Sequence, residues 1–132
     1  MSPSSGTSRI GAIVLAAGRS SRMAPRNKLL ELAGETPIVV CVATAALASK
    51  ADPVIVVTGF EADRVEQALC DLQVSTVRNP AFSQGLSSSL RAGLGALPPH
   101  CDGALILLGD MPIVDVKVLN ALIAAFTGPD AV

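Results

Sequence analysis

Four short strand-like runs, all but the third apolar or β-branched in the main, recur along the chain, separated by segments whose apolar residues fall at helical spacing. The runs are Ile10 to Leu15, Pro53 to Thr58, Val74 to Arg78 and Ala104 to Leu108. The uninterrupted ones have no polar face to give to water and are expected as strands covered on both sides. Between them, Thr36-Pro37 reads as a cap followed by a proline in a first helical turn. Ile38, Val42, Ala45 and Ala46 then share one helical face up to Ser49. Glu61 to Leu72 carries Val65, Ala68, Leu69 and Leu72 at i, i+3, i+4 and i+7. Ser87 to Leu97 reads as a third helix. Asp115 reads as the cap of a fourth, which bears Val118, Leu119, Leu122, Ile123 and Phe126. Strands and helices in this alternation predict right-handed crossovers and a mainly parallel sheet in an α/β three-layer sandwich.

Ligands of such sheets collect at the carboxyl ends of the strands, and the polar-rich segments of this chain all fall there. The first run passes directly into Ala16-Ala17-Gly18-Arg19-Ser20-Ser21-Arg22, and the basic stretch continues to Arg26 and Lys28. Arg19, Arg22, Arg26 and Lys28 lie within ten residues, and the first acidic residue of the chain is Glu31. Small residues let backbone N–H groups approach a ligand closely, and Gly18 can take positive φ where the chain leaves the strand. A locally unpaired cationic loop in a chain of net charge −1 points to phosphate, where a globally basic chain would point to nucleic acid. The loop has neither the Gly-Lys-Ser/Thr ending of a P-loop nor the second and third glycines of a dinucleotide fingerprint.

Thr58-Gly59 closes the second run, Asn79-Pro80 the third, and Gly109-Asp110-Met111-Pro112 the fourth. A carboxylate at a strand end suits a hard divalent cation that takes most of its ligands from phosphate and water, but Asp110 serves equally well as the cap of the turn before Pro112. Asp102 and Asp115 read as a loop acid and a helix cap. In Asn79 to Leu90, Ser87, Ser88 and Ser89 can satisfy free N–H groups at a helix start or bind a ligand, and residue type alone favours capping.

At 132 residues the chain is one domain by length, and half of it is hydrophobic, enough for a core. Aromatics are 2%, with no Trp or Tyr, so stacking platforms for single-stranded nucleic acid are missing. Cys41, Cys70 and Cys101 form no C-x-x-C pair and read as reduced thiols of a cytoplasmic protein. The single histidine, His100, has no metal-ligand spacing to any other candidate and receives no role. Residues 1–8 are Ser, Pro, Gly and Thr in the main and are expected to be a disordered tail. The apolar run after Arg9 is too short for a secretory signal, and no stretch reaches the length of a membrane span.

Leu15-Ala16-Ala17-Gly18, Ser20, Arg22-Met23 and Lys28 together resemble the signature of the MobA-like nucleotidyltransferases, L-A-[AG]-G-x-S-x-R-M-G-x-x-(x)-K, with Ala24 where the family commonly has glycine. The double alanine resembles the MocA-type branch, molybdenum cofactor cytidylyltransferase. Gly109-Asp110-Met111-Pro112 resembles the family's G-D-x-P motif, whose aspartate binds Mg²⁺. Asn79 to Leu90 resembles its N-P-x-x-x-x-G-x-x-x-S stretch, which lines the nucleotide pocket.

The resemblance, which runs from Ile10 to about Phe126, implies a Rossmann-like α/β/α sandwich of the nucleotide-diphospho-sugar transferase type over residues 9–132, lacking its C-terminal part. It implies transfer of a nucleoside monophosphate from a nucleoside triphosphate, CTP in this branch, to a phosphorylated acceptor such as molybdopterin, with release of pyrophosphate. Leu15, Ala16, Ala17, Gly18, Arg19, Ser20, Ser21, Arg22, Lys28, Thr58, Gly59, Asn79, Gly85, Ser88 and Ser89 would line the nucleotide site. Arg22 and Lys28 would be catalytic, and Asp110 would hold Mg²⁺. The alternatives are transfer to a sugar 1-phosphate and a non-catalytic nucleotide- or cofactor-binding accessory protein. Family members run on past this length, so the chain is expected to be a fragment, a shortened relative, or one whose site is completed by another subunit.

Overall fold

The structure, a computed structural model, describes residues 9–17, 32–33, 36–81, 85–109 and 115–127. The elements run β1 (Ile10–Ala16), β2 (Leu32–Ala33), β3 (Thr36–Pro37), α1 (Ile38–Ala48), β4 (Val54–Thr58), α2 (Ala62–Ala68), β5 (Ser75–Arg78), α3 (Leu86–Ala96), β6 (Gly103–Leu108) and α4 (Val116–Thr127). The four expected strands form one sheet in the order β5-β4-β1-β6, with every neighbouring pair parallel. The expected tail, residues 1–8, lies outside the described residues.

Strand order dictates the layers. The chain steps from β1 to β4 to β5 in one direction and returns to β6 on the far side of β1. Right-handed crossovers therefore require α1 and α2 on one face and α3 on the other. The packing follows this rule. Ala12, Val14 and Ala16 of β1 meet Val39, Val42 and Ala46 of α1, Val65 of α2, and Leu119 and Ile123 of α4. Ile13 and Leu15, the alternate residues, pack with Val57 and with Ala92 of α3 on the opposite side. All seven residues of β1 are buried, which makes it the centre of the sheet. Each fully buried Val or Ile there contributes about 1.5–3 kcal/mol relative to exposure.

The structure differs from the sequence reading at several boundaries. Thr36 is not a helix cap: with Pro37 it forms β3, antiparallel to β2, and Pro37 itself is the N-cap of α1. Proline can serve both purposes because its extended backbone fits the strand and its missing N–H leaves nothing unpaired at the helix start. The helix expected over Glu61 to Leu72 ends at Ala68. Beyond it Cys70 N–H bonds Gln67 O and Leu72 N–H bonds Leu69 O, both tighter than α-helical spacing. Asp115 does cap α4, accepting from the Lys117 N–H at 2.8 Å. Of that helix's expected apolar face, Leu119 and Ile123 are buried while Val118 and Leu122 are exposed. Asp102 ties the amino ends of two strands together: its carboxylate accepts from Arg9 N–H at 2.9 Å, and its own N–H donates to Arg9 O at 2.7 Å.

All three cysteines are free, and burial pushes the Cys101 thiol pKa up. Among the described residues no helix is long and apolar enough to cross a membrane.

Candidate functional site

The parallel register aligns the carboxyl ends of the strands. Ala16 pairs with Thr58, Thr58 with Arg78, and Leu15 with Leu108. Backbone bonds continue past the last pairs: Asn79 N–H donates to Thr58 O at 2.7 Å, Phe60 N–H to Ala17 O at 2.8 Å, and Gly109 N–H to Leu15 O at 2.9 Å. The four segments that follow the strands therefore start from one edge. The reversal of strand order between β1 and β6 gives this edge a topological switch point, where open parallel sheets hold ligands.

Leu15, Ala16, Ala17, Thr58, Gly59 and Asn79 are all brought together here. Gly18, Arg19, Ser20, Ser21, Arg22, Lys28 and Asp110 lie outside the described residues. Gly109, joined to Asp110, is held beside Leu15 by the bond just given.

Thr58 does not offer its hydroxyl to this edge. Its side chain has no solvent exposure, and Oγ1 donates to Glu66 Oε2 at 2.9 Å, with Val77 O 3.4 Å away. Arg78 reaches the same carboxylate twice, through Nε to Oε2 and Nη2 to Oε1, each at 2.9 Å, and Nη2 also pairs with Asp63. The Arg78 hydrogen bonds hold the Glu66 carboxyl below the usual carboxylate range, with smaller help from Thr58 and from the Arg78 charge; burial works against them. The Arg78 guanidinium pKa is raised in turn. Sequence reasoning passed over this cluster. The available signal was the spacing of Asp63 and Glu66, three apart on one helical face.

Ser88 and Ser89 do not cap α3. Its N-cap is Gly85, at φ 109° and ψ 178°, with no side-chain cap bond. Instead, Asn79 Nδ2 donates to Ser88 Oγ and to Ser89 Oγ, each at 3.0 Å, while Asn79 Oδ1 accepts from Ala81 N–H at 3.0 Å. Ser88 Oγ shares its hydrogen between Gly85 O at 2.8 Å and Ala81 O at 3.0 Å. Through these bonds Gly85, Ser88 and Ser89 join the edge that carries Asn79. Ser87 is exposed.

Among the described residues no group of three His, Cys, Asp or Glu side chains is placed to hold a metal ion. A single strand-end carboxylate, as Asp110 would supply, fits a hard cation that takes the rest of its shell from phosphate oxygens and water, which is how Mg²⁺ is commonly bound. It does not fit a closed all-protein metal cage.

Comparison with known proteins agrees with this fold. Over 111 residues the chain is 32% identical to the bifunctional protein GlmU of Psychrobacter sp., covering 83% of this chain and 24% of that protein. A nucleotidyl transferase from Methanothermobacter thermautotroptrophicus superposes with a TM-score of 0.80 at 35% identity, covering 87% of this chain and 56% of the other. Rv0371c from Mycobacterium tuberculosis superposes with a TM-score of 0.80 at 28% identity, covering 91% and 61%. A manganese complex of Rv0371c gives a TM-score of 0.76 at 26% identity, covering 91% and 60%. The chain thus spans about a quarter of that GlmU and somewhat over half of these solved structures. Residues 12–132 match the model of the MobA-like NTP transferase domain, and the chain belongs to that family.

Proposed function

We propose that the chain carries the nucleotide-binding portion of a nucleotidyltransferase. In this reading an NTP lies along the carboxyl edge of the sheet and a nucleoside monophosphate passes to a phosphorylated acceptor. The carrying observation is the aligned edge, where the row Ala16, Thr58, Arg78 is continued by Asn79 bonded to Thr58 and by Gly109 bonded to Leu15. Family membership supports the reaction class, since the family is one of NTP transferases.

In this reading backbone N–H groups of residues 16–21 hold the triphosphate, and Arg22 and Lys28 offset charge that develops on the α-phosphate and the leaving group. Asp110 would hold Mg²⁺, which supplies further neutralisation of phosphate oxygens when bound; a manganese complex is known for the similar Rv0371c. An acceptor phosphate oxygen attacks the α-phosphorus, the α–β P–O bond breaks, and pyrophosphate leaves. A phosphomonoester has a second pKa of about 6 and is already mostly ionised at pH 7, so no general base is needed. That suits a site motif with no histidine in it.

The Ala16-Ala17-Gly18 sequence supports CTP as donor and molybdopterin as acceptor, through its resemblance to the MocA-type branch. A sugar 1-phosphate presents the same ionised phosphomonoester and is the second acceptor to test. Thermal-shift titration with CTP, GTP, UTP and ATP, with and without Mg²⁺, tests the reading, followed by pyrophosphate release with each acceptor. Saturation at about 100 times Kd adds about 2.7 kcal/mol of stability. Stabilisation by an NTP that Mg²⁺ enhances supports the proposal, and selective CTP stabilisation supports the MocA-type form. No stabilisation by any of the four overturns it.

A further inference from the structure

We infer that Asn79 is a positioning residue for the nucleotide, acting through Ser88 and Ser89 without touching the ligand. The inference rests on the nucleotidyl-transfer reading above and goes beyond it by separating the residue that orients the second nucleotide-facing segment from the residues that face the nucleotide.

A primary amide has two N–H hydrogens, and both of those on Asn79 are committed, one to Ser88 Oγ and one to Ser89 Oγ. Its Oδ1 holds the Ala81 N–H, and its backbone N–H holds Thr58 O. The residue is only 5% exposed. No donor is left for a ligand. What Asn79 does instead is join four places: the end of β4, the turn at Ala81, and two successive residues in the first turn of α3.

Ser88 passes the constraint on. Its backbone N–H and its hydroxyl both donate to Gly85 O, at 3.2 and 2.8 Å, so the peptide after Gly85 is gripped from two sides. Gly85 sits at a positive φ that other residues rarely adopt. The clasp thereby fixes the orientation in which the chain enters α3 relative to the sheet edge. Removing Asn79 takes away the N–H donors that both serine oxygens accept from and leaves Ser88 held only by its own bonds to Gly85 O and Ala81 O. That entry is then looser until nucleotide binds, which weakens affinity without touching the reacting atoms.

The test compares NTP affinity, by thermal shift with Mg²⁺, in the unaltered chain, in Asn79→Ala, in Ser88→Ala/Ser89→Ala and in the triple variant. Steady-state turnover supplies the second readout. Asn79→Ala and the serine pair are each expected to weaken binding by about 10- to 100-fold, the range for residues that orient a ligand's partners. The triple variant should be no weaker than the serine pair, and KM should rise with kcat nearly unchanged. Weakening that adds in the triple variant would show that Asn79 contacts nucleotide itself, and unchanged affinity in Asn79→Ala would show that it orients nothing; either overturns the inference alone. If the unaltered chain binds no NTP, the nucleotidyl-transfer reading fails and this inference fails with it. Should Asn79→Ala not fold, Ser88→Thr, which keeps Oγ, must retain the affinity that Ser88→Ala loses; equal affinity in the two overturns the inference.

Discussion

Thr58 Oγ1 donates to Glu66 Oε2 at 2.9 Å from a side chain sealed off from solvent, so the last residue of β4 is locked to α2. Valine has nearly the same shape and no hydroxyl. Thr58→Val should therefore keep the packing and lose one hydrogen bond to a charged group, costing about 1.5–3 kcal/mol. The expected sign is a Tm lower by several degrees in thermal denaturation. A Thr58→Val chain as stable as the original would mean that the bond contributes nothing.

The same carboxylate makes stability depend on pH. Arg78 and Thr58 hold the folded-state pKa of Glu66 below its ordinary value of 4.5, so below that value the unfolded chain binds the extra proton more readily. The contribution is fully present above the ordinary value and is lost as pH falls through the lowered, folded-state pKa. Replacing Arg78 with Met should flatten that part of the profile. Denaturation midpoints followed from pH 6 down to acid should converge for the two proteins at the low end. Parallel profiles would place the acid sensitivity elsewhere.

Two glycines of α3 should respond in opposite directions. A Cβ on Gly93 would lie 2.6 Å from Ile13 Cγ2 and 3.1 Å from Val57 Cγ2, both on buried β-branched side chains with little freedom to turn away. Gly93→Ala should cost about 1–3 kcal/mol through overpacking. A Cβ on Gly95 meets nothing within 4 Å, so Gly95→Ala should gain about 0.5–1 kcal/mol from helix propensity alone. Urea midpoints of the two single variants, moving apart from the original, check the pair.

Gly85→Ala meets a different obstacle. There is open space around the added methyl, but φ of 109° strains any residue with a Cβ. A cost of about 1–3 kcal/mol is expected, together with weaker NTP binding. Gly85→Asn should lose as much in the same denaturation measurement, because at ψ 178° the position lies outside the left-handed helical region that asparagine tolerates.

Three of the four sheet strands were legible because continuous apolar runs admit few other arrangements, and the common carboxyl edge followed from their parallel order. Exposure was less legible. Ala104 to Leu108 is as apolar as a strand covered on both sides, yet Ile106 and Leu108 are 43% and 44% exposed. Register places these two beside Ile13 and Leu15 on the α3 face, where α3 packs over β4, β1 and β5. Composition records that a strand is apolar, while its place in the sheet decides how much of it a helix reaches. The serines show a second limit. Three in a row at a helix start suggest caps by residue type, but an amide nine residues back in the chain recruits the hydroxyl of Ser88 and, one residue further on, that of Ser89. Thr58 was likewise a candidate ligand residue by position, and only the fold shows its hydroxyl turned to Glu66.

Asp110 can be read as a metal ligand or as the cap of a turn, and one substitution separates the two. Gly109, its neighbour, is fastened to Leu15 at the carboxyl edge of the sheet. Asparagine keeps the size of aspartate and caps turns about as well, but it has no charge for a hard cation. If Asp110 only caps a turn, Asp110→Asn should leave both stability and turnover near those of the original. If it holds Mg²⁺, the variant should keep its Tm without ligand and lose the extra NTP stabilisation that Mg²⁺ confers. Its turnover should then fall by about 10²–10³-fold, the scale of removing one electrostatic contact to a transition state. Titrating Mg²⁺ at fixed NTP in both proteins reads the difference directly, because a capping role predicts identical curves and a ligand role predicts a flat one for Asp110→Asn.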